Sequence, residues 1–149
     1  MKKYYPYKTS LKILRVIGFL FNCLLTYLCT LFLEPYPIIM RLAIVLFWTF
    51  YIVVLLIAMP IYFAKTNYFI STNEVAKQSG IIYFTRQLMR TDSIQYMTYF
   101  STPLSKYTGF NFLVFNALGG KVVFLFLSKK DADEISSTIS AIIRQKSRL

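Results

Sequence analysis

Two long stretches without a charged side chain lie almost back to back in the first half of the chain. They run from Val16 to Leu33 and from Leu42 to Ala64. A bilayer core of about 30 Å is crossed by roughly 20 apolar helical residues, so each stretch is long enough to be a span. After Lys65 the chain changes to short runs that are broken by turns. The sequence therefore predicts a two-helix transmembrane hairpin over residues 16–64, followed by one small domain.

The charges around the two stretches predict their orientation. Residues 1–15 contain five basic side chains and no acid, the connection 34–41 contains one of each, and Lys65 directly follows the second stretch. Basic flanks are retained on the cytoplasmic side of a membrane. We therefore expect a multi-pass membrane protein with a basic cytoplasmic N-terminus (1–15), a short outer loop (34–41) and a cytoplasmic domain (65–149).

Few side chains inside the two stretches offer more than apolar packing. Asn22 is the best candidate for a hydrogen bond between the helices, which is worth about 1 kcal/mol in a membrane. Trp48 lies inside the second stretch instead of at its edge, so packing is expected there more than interfacial anchoring. Cys23 and Cys29 are six residues apart and project to different sides of a helix, so they cannot bridge each other. Pairing between two copies of the helix stays open.

The chain after Lys65 has the short β-prone runs and turn residues that are typical of antiparallel strands. Gly80 marks one hairpin, and Gly119 with Gly120 marks another. Strands are predicted at residues 68–70, 74–78, 81–89, 94–100, 110–115 and 121–127.

From Ser128 the apolar residues recur at helical spacing, and Asp131 completes a capping box with that serine. One amphipathic helix should therefore close a mostly-β domain.

The last predicted strand is apolar on both faces. The two alternating sets are Val122, Phe124 and Phe126, and Val123, Leu125 and Leu127. A small antiparallel sheet normally has one face in water. Two explanations are open: the strand is central and covered on both sides, or its outer face meets another subunit.

The predicted cytoplasmic domain is basic. Residues 65–149 carry eleven basic and five acidic side chains. An anionic partner is expected, and anionic lipid of the inner leaflet is nearest, since each Lys or Arg gains about 1 kcal/mol beside such a surface. Ordinary topology control and solubility explain the charge equally simply, and nucleic acid is not expected as a partner. The candidates for holding anionic lipid or a partner are Lys65, Arg86, Arg90, Lys106, Lys129 and Lys130.

Catalytic chemistry has little support. The chain has no His and only six carboxylates, so groups for general acid and base catalysis are scarce. The acidic cluster Asp131, Asp133 and Glu134 lies at a predicted helix start, where the helix dipole accounts for it. Neither a metal-ligand spacing nor a Gly-rich phosphate loop occurs. We expect a protein that is not an enzyme, without catalytic residues, a metal site or a cofactor.

An ordered set of short motifs resembles the bacterial PH-like family, and more narrowly its membrane-flanked YdbS and YdbT type. The motifs are Tyr-x-Ile-Ser-Thr-Asn-Glu at 68–74, Met-Arg-Thr-Asp-Ser-Ile-Gln at 89–95, Pro-Leu-Ser-Lys-Tyr-Thr-Gly at 103–109 and Ser-Lys-Lys-Asp-Ala at 128–132. The resemblance covers about residues 65–144, and the two preceding spans match the usual layout of the shorter members. It implies a PH-like domain of two antiparallel sheets with a C-terminal helix at one end, and no catalysis.

Some members of this type resemble resistance or self-immunity proteins that act against membrane-active peptide bacteriocins. The resemblance thus implies a protein of the bacterial cell membrane that protects the cell by acting at the bilayer. A bacteriocin peptide, a membrane protein and a second copy of the chain are the other partners to consider. The alternative function is a scaffold or accessory subunit of a membrane complex or transporter. A holin-like pore is disfavoured by the sizeable β-rich domain.

Overall fold

The structure, a computed structural model, describes residues 1–148, which form two compact units. The helical unit comprises Leu11–Ile61. The β-rich unit comprises Met1–Ser10 together with the chain from Tyr62 onward.

Two long helices contain the apolar stretches. Helix α1 is Lys8–Phe32, and after a tight turn α2 (Pro37–Tyr51) continues through a π-helical segment, Ile52–Ala58, into α3 (Met59–Lys65). Pro37 begins α2, where its missing N–H would have no helical partner in any case. The two continuous helices have 25 and 29 residues and are apolar enough to cross a membrane.

The π-helical segment widens the second long helix just before a proline. The N–H of Met59 bonds to the carbonyl of Val54, five residues earlier. Pro60 follows, and its ring would clash with the carbonyl four residues before it in a regular α-helix. The wider turn displaces that carbonyl, which explains how Pro60 is accommodated without ending the helix.

Aromatic side chains and two hydrogen bonds join α1 to α2. Trp48 meets Phe19 and Tyr51 edge to face, with ring centroids 5.9 and 6.0 Å apart. The Trp48 indole N–H donates to the hydroxyl of Thr26 at 3.2 Å. The Tyr51 hydroxyl donates to the carbonyl of Arg15 at 3.1 Å. The pair is therefore held by specific contacts in addition to apolar packing.

A four-stranded antiparallel sheet in the order β1-β2-β3-β4 forms one half of the β-rich unit. Its strands are β1 (Lys2–Tyr4), β2 (Asn67–Ile70), β3 (Glu74–Ser79) and β4 (Thr85–Arg90). Strand β1 comes from the start of the chain and pairs with β2, with Tyr4 opposite Tyr68. Part of the basic N-terminal segment is therefore an edge strand of this sheet.

The strand predicted over residues 81–89 is wrong at its start. Strand β4 begins at Thr85, which pairs with Ser79, and Gly80–Phe84 forms the hairpin loop. A Cβ on Gly80 would overlap the carbonyl oxygen of Tyr83, so the close approach of the chain to itself requires glycine. The apolar run suggested a strand because β-branched and aromatic residues favour strands. The same residues in an exposed loop give the same sequence pattern.

A three-stranded antiparallel sheet in the order β5-β6-β7 forms the other half. Its strands are β5 (Ile94–Ser101), β6 (Asn111–Ala117) and β7 (Gly120–Leu127), with one short helix, α4 (Ser105–Thr108), between β5 and β6. The C-terminal helix α5 is Lys129–Lys146. The predicted cap is confirmed, since the Ser128 hydroxyl accepts a hydrogen bond from the Asp131 N–H at 3.2 Å.

The core lies between the two sheets and α5. Tyr68 of β2 stacks on Phe124 of β7 with ring centroids 4.4 Å apart, and Phe115 meets Phe124 edge to face at 5.1 Å. Helix α5 contributes Ile135 and Ile139, which are fully buried. Two antiparallel sheets with a C-terminal helix are the fold that the resemblance implied, and the fold class is confirmed.

Strand β7 is not central, so the first explanation of its two apolar faces is wrong. It lies at the edge of its sheet, and a bulge opposite Asn111–Leu113 breaks its alternation. Phe126 has a φ of 56°, a left-handed conformation that costs roughly 1–2 kcal/mol. Its ring points away from the core and packs on the Phe63 ring, with the ring centroids 5.0 Å apart. Leu127 is buried in the core instead. Phe63 of the same chain thus covers Phe126, while Val123 and Leu125 on the outer face are partly exposed.

Candidate functional site

A basic groove of about 490 Å³ lies beside the start of α5 in the β-rich unit. It is lined by Tyr7, Lys106, Ser128, Lys129, Lys130 and Asp133. We call this set the lysine groove. It brings together three of the six basic residues predicted to bind lipid or a partner.

Two local structures place the lysines. Ser128 caps α5 and so sets Lys129 and Lys130 in its first turn. Lys106 comes from α4, which is held against the N-terminal segment. The Ser10 hydroxyl donates to the carbonyl of Thr108 at 2.5 Å.

Gly109, which follows α4, allows that close packing. It has a φ of 67°, in the left-handed region that favours glycine. A Cβ at this position would also overlap the ring of Tyr7. The α4 turn and the Tyr7 side of the lysine groove therefore depend on a residue without a side chain.

The lysine groove is electropositive. Its lining carries three ammonium groups and one carboxylate, that of Asp133. Within residues 1–148, none of the three lysines forms an ion pair. The first turn of α5 adds unpaired N–H groups and the positive end of the helix dipole, which also favour an anion.

Asp133 is partly engaged by a neighbour. Its carboxylate accepts a hydrogen bond from the hydroxyl of Tyr99 at 3.0 Å. Burial, together with this bond to a carboxylate, raises the pKa of Tyr99 above its usual value. Tyr99 therefore stays a neutral donor at physiological pH, which orients the single acid of the lysine groove.

The other predicted basic residues lie elsewhere in the β-rich unit. Lys65 ends α3, and its ammonium nitrogen lies 4.9 Å from the ring centroid of Phe84. Arg86 lies on β4 just after the β3–β4 loop. Arg90 ends β4, about 13 Å along the strand from Arg86. It forms an exposed ion pair with Asp92 at 3.6 Å.

A second groove of about 450 Å³ lies between β1, β2 and α5. Its lysine, Lys2, forms an ion pair with Glu134. The hydrogen bond to Glu134 raises the pKa of Lys2 above its usual value. Because the charge is already matched there, this groove suits an anion less well than the lysine groove does.

The predicted packing residues lie in the helical unit. Asn22 is almost fully buried and lines an apolar cleft of about 260 Å³. Its amide nitrogen has no acceptor among residues 1–148. Of the two hydrogen bonds between the helices, the one nearest Asn22 runs from Trp48 to Thr26, whose hydroxyl also donates to the Asn22 carbonyl at 2.9 Å. Thr26 was missed, although its hydroxyl lies one turn after Asn22.

The sequence also did not point to Tyr7, Ser128 or Asp133 as parts of one site. Ser128 and Asp133 were attributed to the start of a helix. Tyr7 lies more than 120 positions before Ser128 and Asp133 in the chain, so only the folded structure brings the three together. In the part of the chain that the structure describes, no group of three His, Cys, Asp or Glu side chains could hold a metal ion.

Comparison with known proteins identifies the family. No curated protein and no solved structure matches this chain. A family profile described as the bacterial PH domain matches residues 14–143, which is most of the chain. The fold of two antiparallel sheets and a C-terminal helix agrees with that match. The chain belongs to the bacterial PH domain family.

Proposed function

We propose that this protein is a non-enzymatic membrane protein that holds anionic lipid of the inner leaflet in the lysine groove. By acting there, it protects the cell against a membrane-active peptide such as a bacteriocin. The observation that carries the proposal is the convergence of Lys106, Lys129 and Lys130 on one groove without an ion-pair partner.

The position of the groove in the chain supports a lipid ligand. Tyr7 lines the groove, and the next residue, Lys8, begins α1, which is one of the two helices able to span a bilayer. If α1 crosses the membrane with its apolar stretch from Val16 onward in the hydrocarbon core, Tyr7 lies about 14 Å beyond that core, on the headgroup side. An anionic headgroup is then the most abundant partner within reach of the three lysines.

Protection would follow from local control of the bilayer. Headgroups held by the lysines and the two spans together would order the lipid where a pore-forming peptide inserts. The resemblance to self-immunity proteins supports this role, as does the short connection between the spans, which leaves little chain outside. Both termini are cytoplasmic in this arrangement.

The first test measures lipid binding. A variant with Lys106→Gln, Lys129→Gln and Lys130→Gln should lose about 3 kcal/mol of attraction, which corresponds to roughly 100-fold weaker retention of phosphatidylglycerol. Native mass spectrometry of the full-length protein measures it. The matched control carries Arg90→Gln, Lys121→Gln and Arg144→Gln, which remove the same charge outside the groove. Equal losses in both variants would show that net charge, not the groove, binds the lipid.

The second test measures protection. The intact protein and the two triple variants are expressed in a sensitive bacterium, and survival is measured against a panel of cationic membrane-active bacteriocins. We expect protection from the intact protein and the control and its loss in the groove variant. Protection by the groove variant, or none by the intact protein, would refute the link to the groove.

One observation favours the scaffold or accessory-subunit function as a second candidate. Strand β4 is an edge of the four-stranded sheet, and its residues from Thr85 to Leu88 are exposed. An open edge can add a strand from a protein partner. Copurification of one stoichiometric membrane protein, abolished by Gln87→Pro in β4, would support this candidate over lipid binding.

A further inference from the structure

The loop between β3 and β4 presents four consecutive large apolar residues to solvent. Ile82 and Tyr83 are 83% and 84% exposed, and the flanking Ile81 and Phe84 are exposed as well. Single exposed apolar residues are ordinary, whereas a contiguous apolar patch marks a surface that contacts an apolar phase or a partner. This loop therefore needs an explanation that the lysine groove does not supply.

The neighbours of the loop place it next to the end of a candidate span. Lys65 is the last residue of the second long helix, Pro37–Lys65. Its ammonium group lies over the Phe84 ring, 4.9 Å from the centroid. When this helix crosses the bilayer, Lys65 marks the membrane surface, and Phe84 lies at the same level.

The charges around the loop fit a lipid surface. Lys65 and Arg86 flank it, and residues 75–91 contain no acid. Basic residues beside exposed aromatic and aliphatic side chains are typical of segments that lie in the headgroup region of anionic membranes. Tyr83 also has the apolar body and polar tip that suit the interface.

We propose that Ile81–Phe84 inserts into the headgroup and acyl-chain boundary of the bilayer that anchors this protein, while Lys65 and Arg86 contact lipid phosphates. The inference requires that the two long helices span the membrane. It does not require the lysine groove or the protective role. Insertion by about 5–10 Å would bury the apolar side chains of the loop.

Two features of the β3–β4 hairpin hold the loop in this shape. The paired strands β3 and β4 support its base through the Ser79–Thr85 pair, and Gly80 lets the backbone fold tightly against Tyr83. An ordered loop loses less conformational freedom on insertion than a flexible one. The β6–β7 turn offers a comparison, since its Leu118 is 91% exposed. Leu118 lies at the end of β6 away from Asn111 and Gly109, and Gly109 packs on Tyr7 just before α1.

The experiment measures the depth of single labels in the full-length protein. Cys23→Ala and Cys29→Ala remove the native thiols, and a nitroxide is attached at Ile82→Cys, Leu118→Cys or Val45→Cys. The protein is reconstituted in vesicles of phosphatidylglycerol and phosphatidylethanolamine. Power saturation compares the accessibility of each label to oxygen, which partitions into lipid, and to a water-soluble nickel chelate.

We expect the label at position 82 to favour oxygen severalfold more than the label at 118, and the label at 45 to report the bilayer core. A water-like label at 82 with a lipid-like label at 45 would overturn loop insertion and leave the spans in place. Water-like labels at both positions would overturn the spans as well. A label at 82 that is shielded from both reagents would indicate a protein contact and also refute the proposal.

Discussion

Tyr68 joins the two sheets through one buried hydroxyl group. The hydroxyl donates to the carbonyl of Leu125 at 2.9 Å and accepts from the N–H of the same residue at 3.0 Å. Leu125 lies in the bulge of β7 and has no partner in β6. One side chain therefore satisfies both backbone groups where the bulge interrupts the pairing with β6.

Replacing that hydroxyl should destabilise the β-rich unit. Tyr68→Phe removes the partner of the part-buried Leu125 N–H and carbonyl, so we expect the free energy of unfolding to fall by about 1–3 kcal/mol. Denaturant unfolding of the purified full-length protein, followed by tyrosine fluorescence, measures this loss. Tyr96→Phe is the control because Tyr96 is exposed. Equal losses in both variants would contradict the role of the buried hydroxyl.

The raised pKa of Tyr68 predicts how the stability of the protein changes at alkaline pH. Burial raises the pKa of Tyr68 above its usual value of about 10. Above about pH 10 the unfolded state loses this proton while the folded state keeps it. The contribution of Tyr68 to the free energy of unfolding is therefore complete below about pH 10 and declines as the pH rises further. We expect a smaller alkaline loss of stability in Tyr68→Phe than in the parent protein. Identical slopes in pH-dependent unfolding would refute this assignment.

The contacts between the two long helices distinguish two polar residues, Trp48 and Asn22. Trp48→Phe removes the hydrogen bond to Thr26 and should cost about 0.6–1.7 kcal/mol of hairpin stability. Asn22→Leu should cost less, because the Asn22 amide nitrogen has no acceptor to lose. Unfolding in sodium dodecyl sulfate, followed by circular dichroism, compares the two. A larger loss from Asn22→Leu would mean that Asn22 has the more important contact.

Among the elements, β1 is the one farthest in sequence from the strand it pairs with. Three residues near the chain start pair with β2, and Tyr4 enters the core. Tyr4→Ala should cost about 3 kcal/mol, since it empties a large buried volume. We also expect faster amide hydrogen exchange in β2. Tyr5→Ala, at an exposed position, should leave that exchange unchanged, and equal protection in both variants would show that β1 does not stabilise the sheet.

Some elements could be predicted from local sequence because local physics specifies them. The capped start of α5 needs only Ser128 and Asp131, and the apolar length of each long helix follows from composition. Strand β1 could not be found this way, since three residues with two lysines have no strand pattern. The turn of Phe126 away from the core was equally hidden, because a bulge breaks the period-2 pattern without a local signal.

For the whole molecule, the orientation in the membrane is still a prediction. With Cys23→Ala and Cys29→Ala in place, a membrane-impermeant maleimide should label Tyr36→Cys in intact cells, because Tyr36 lies between the two long helices. It should label Leu118→Cys only after permeabilisation. The reverse pattern would place the β-rich unit outside the cell.

The apolar length of the two long helices, the class of the domain and its positive charge all follow from the sequence. These properties depend on composition and on patterns within one segment, which a folded neighbour does not change. Which charges lie together depends on how the helices and strands pack. Lys106 and Lys129 lie together because α4 and α5 pack beside Tyr7, whereas Arg90 lies apart from them as the last residue of β4. A site assembled from distant segments depends on the packing that brings them together, and no single segment contains that information.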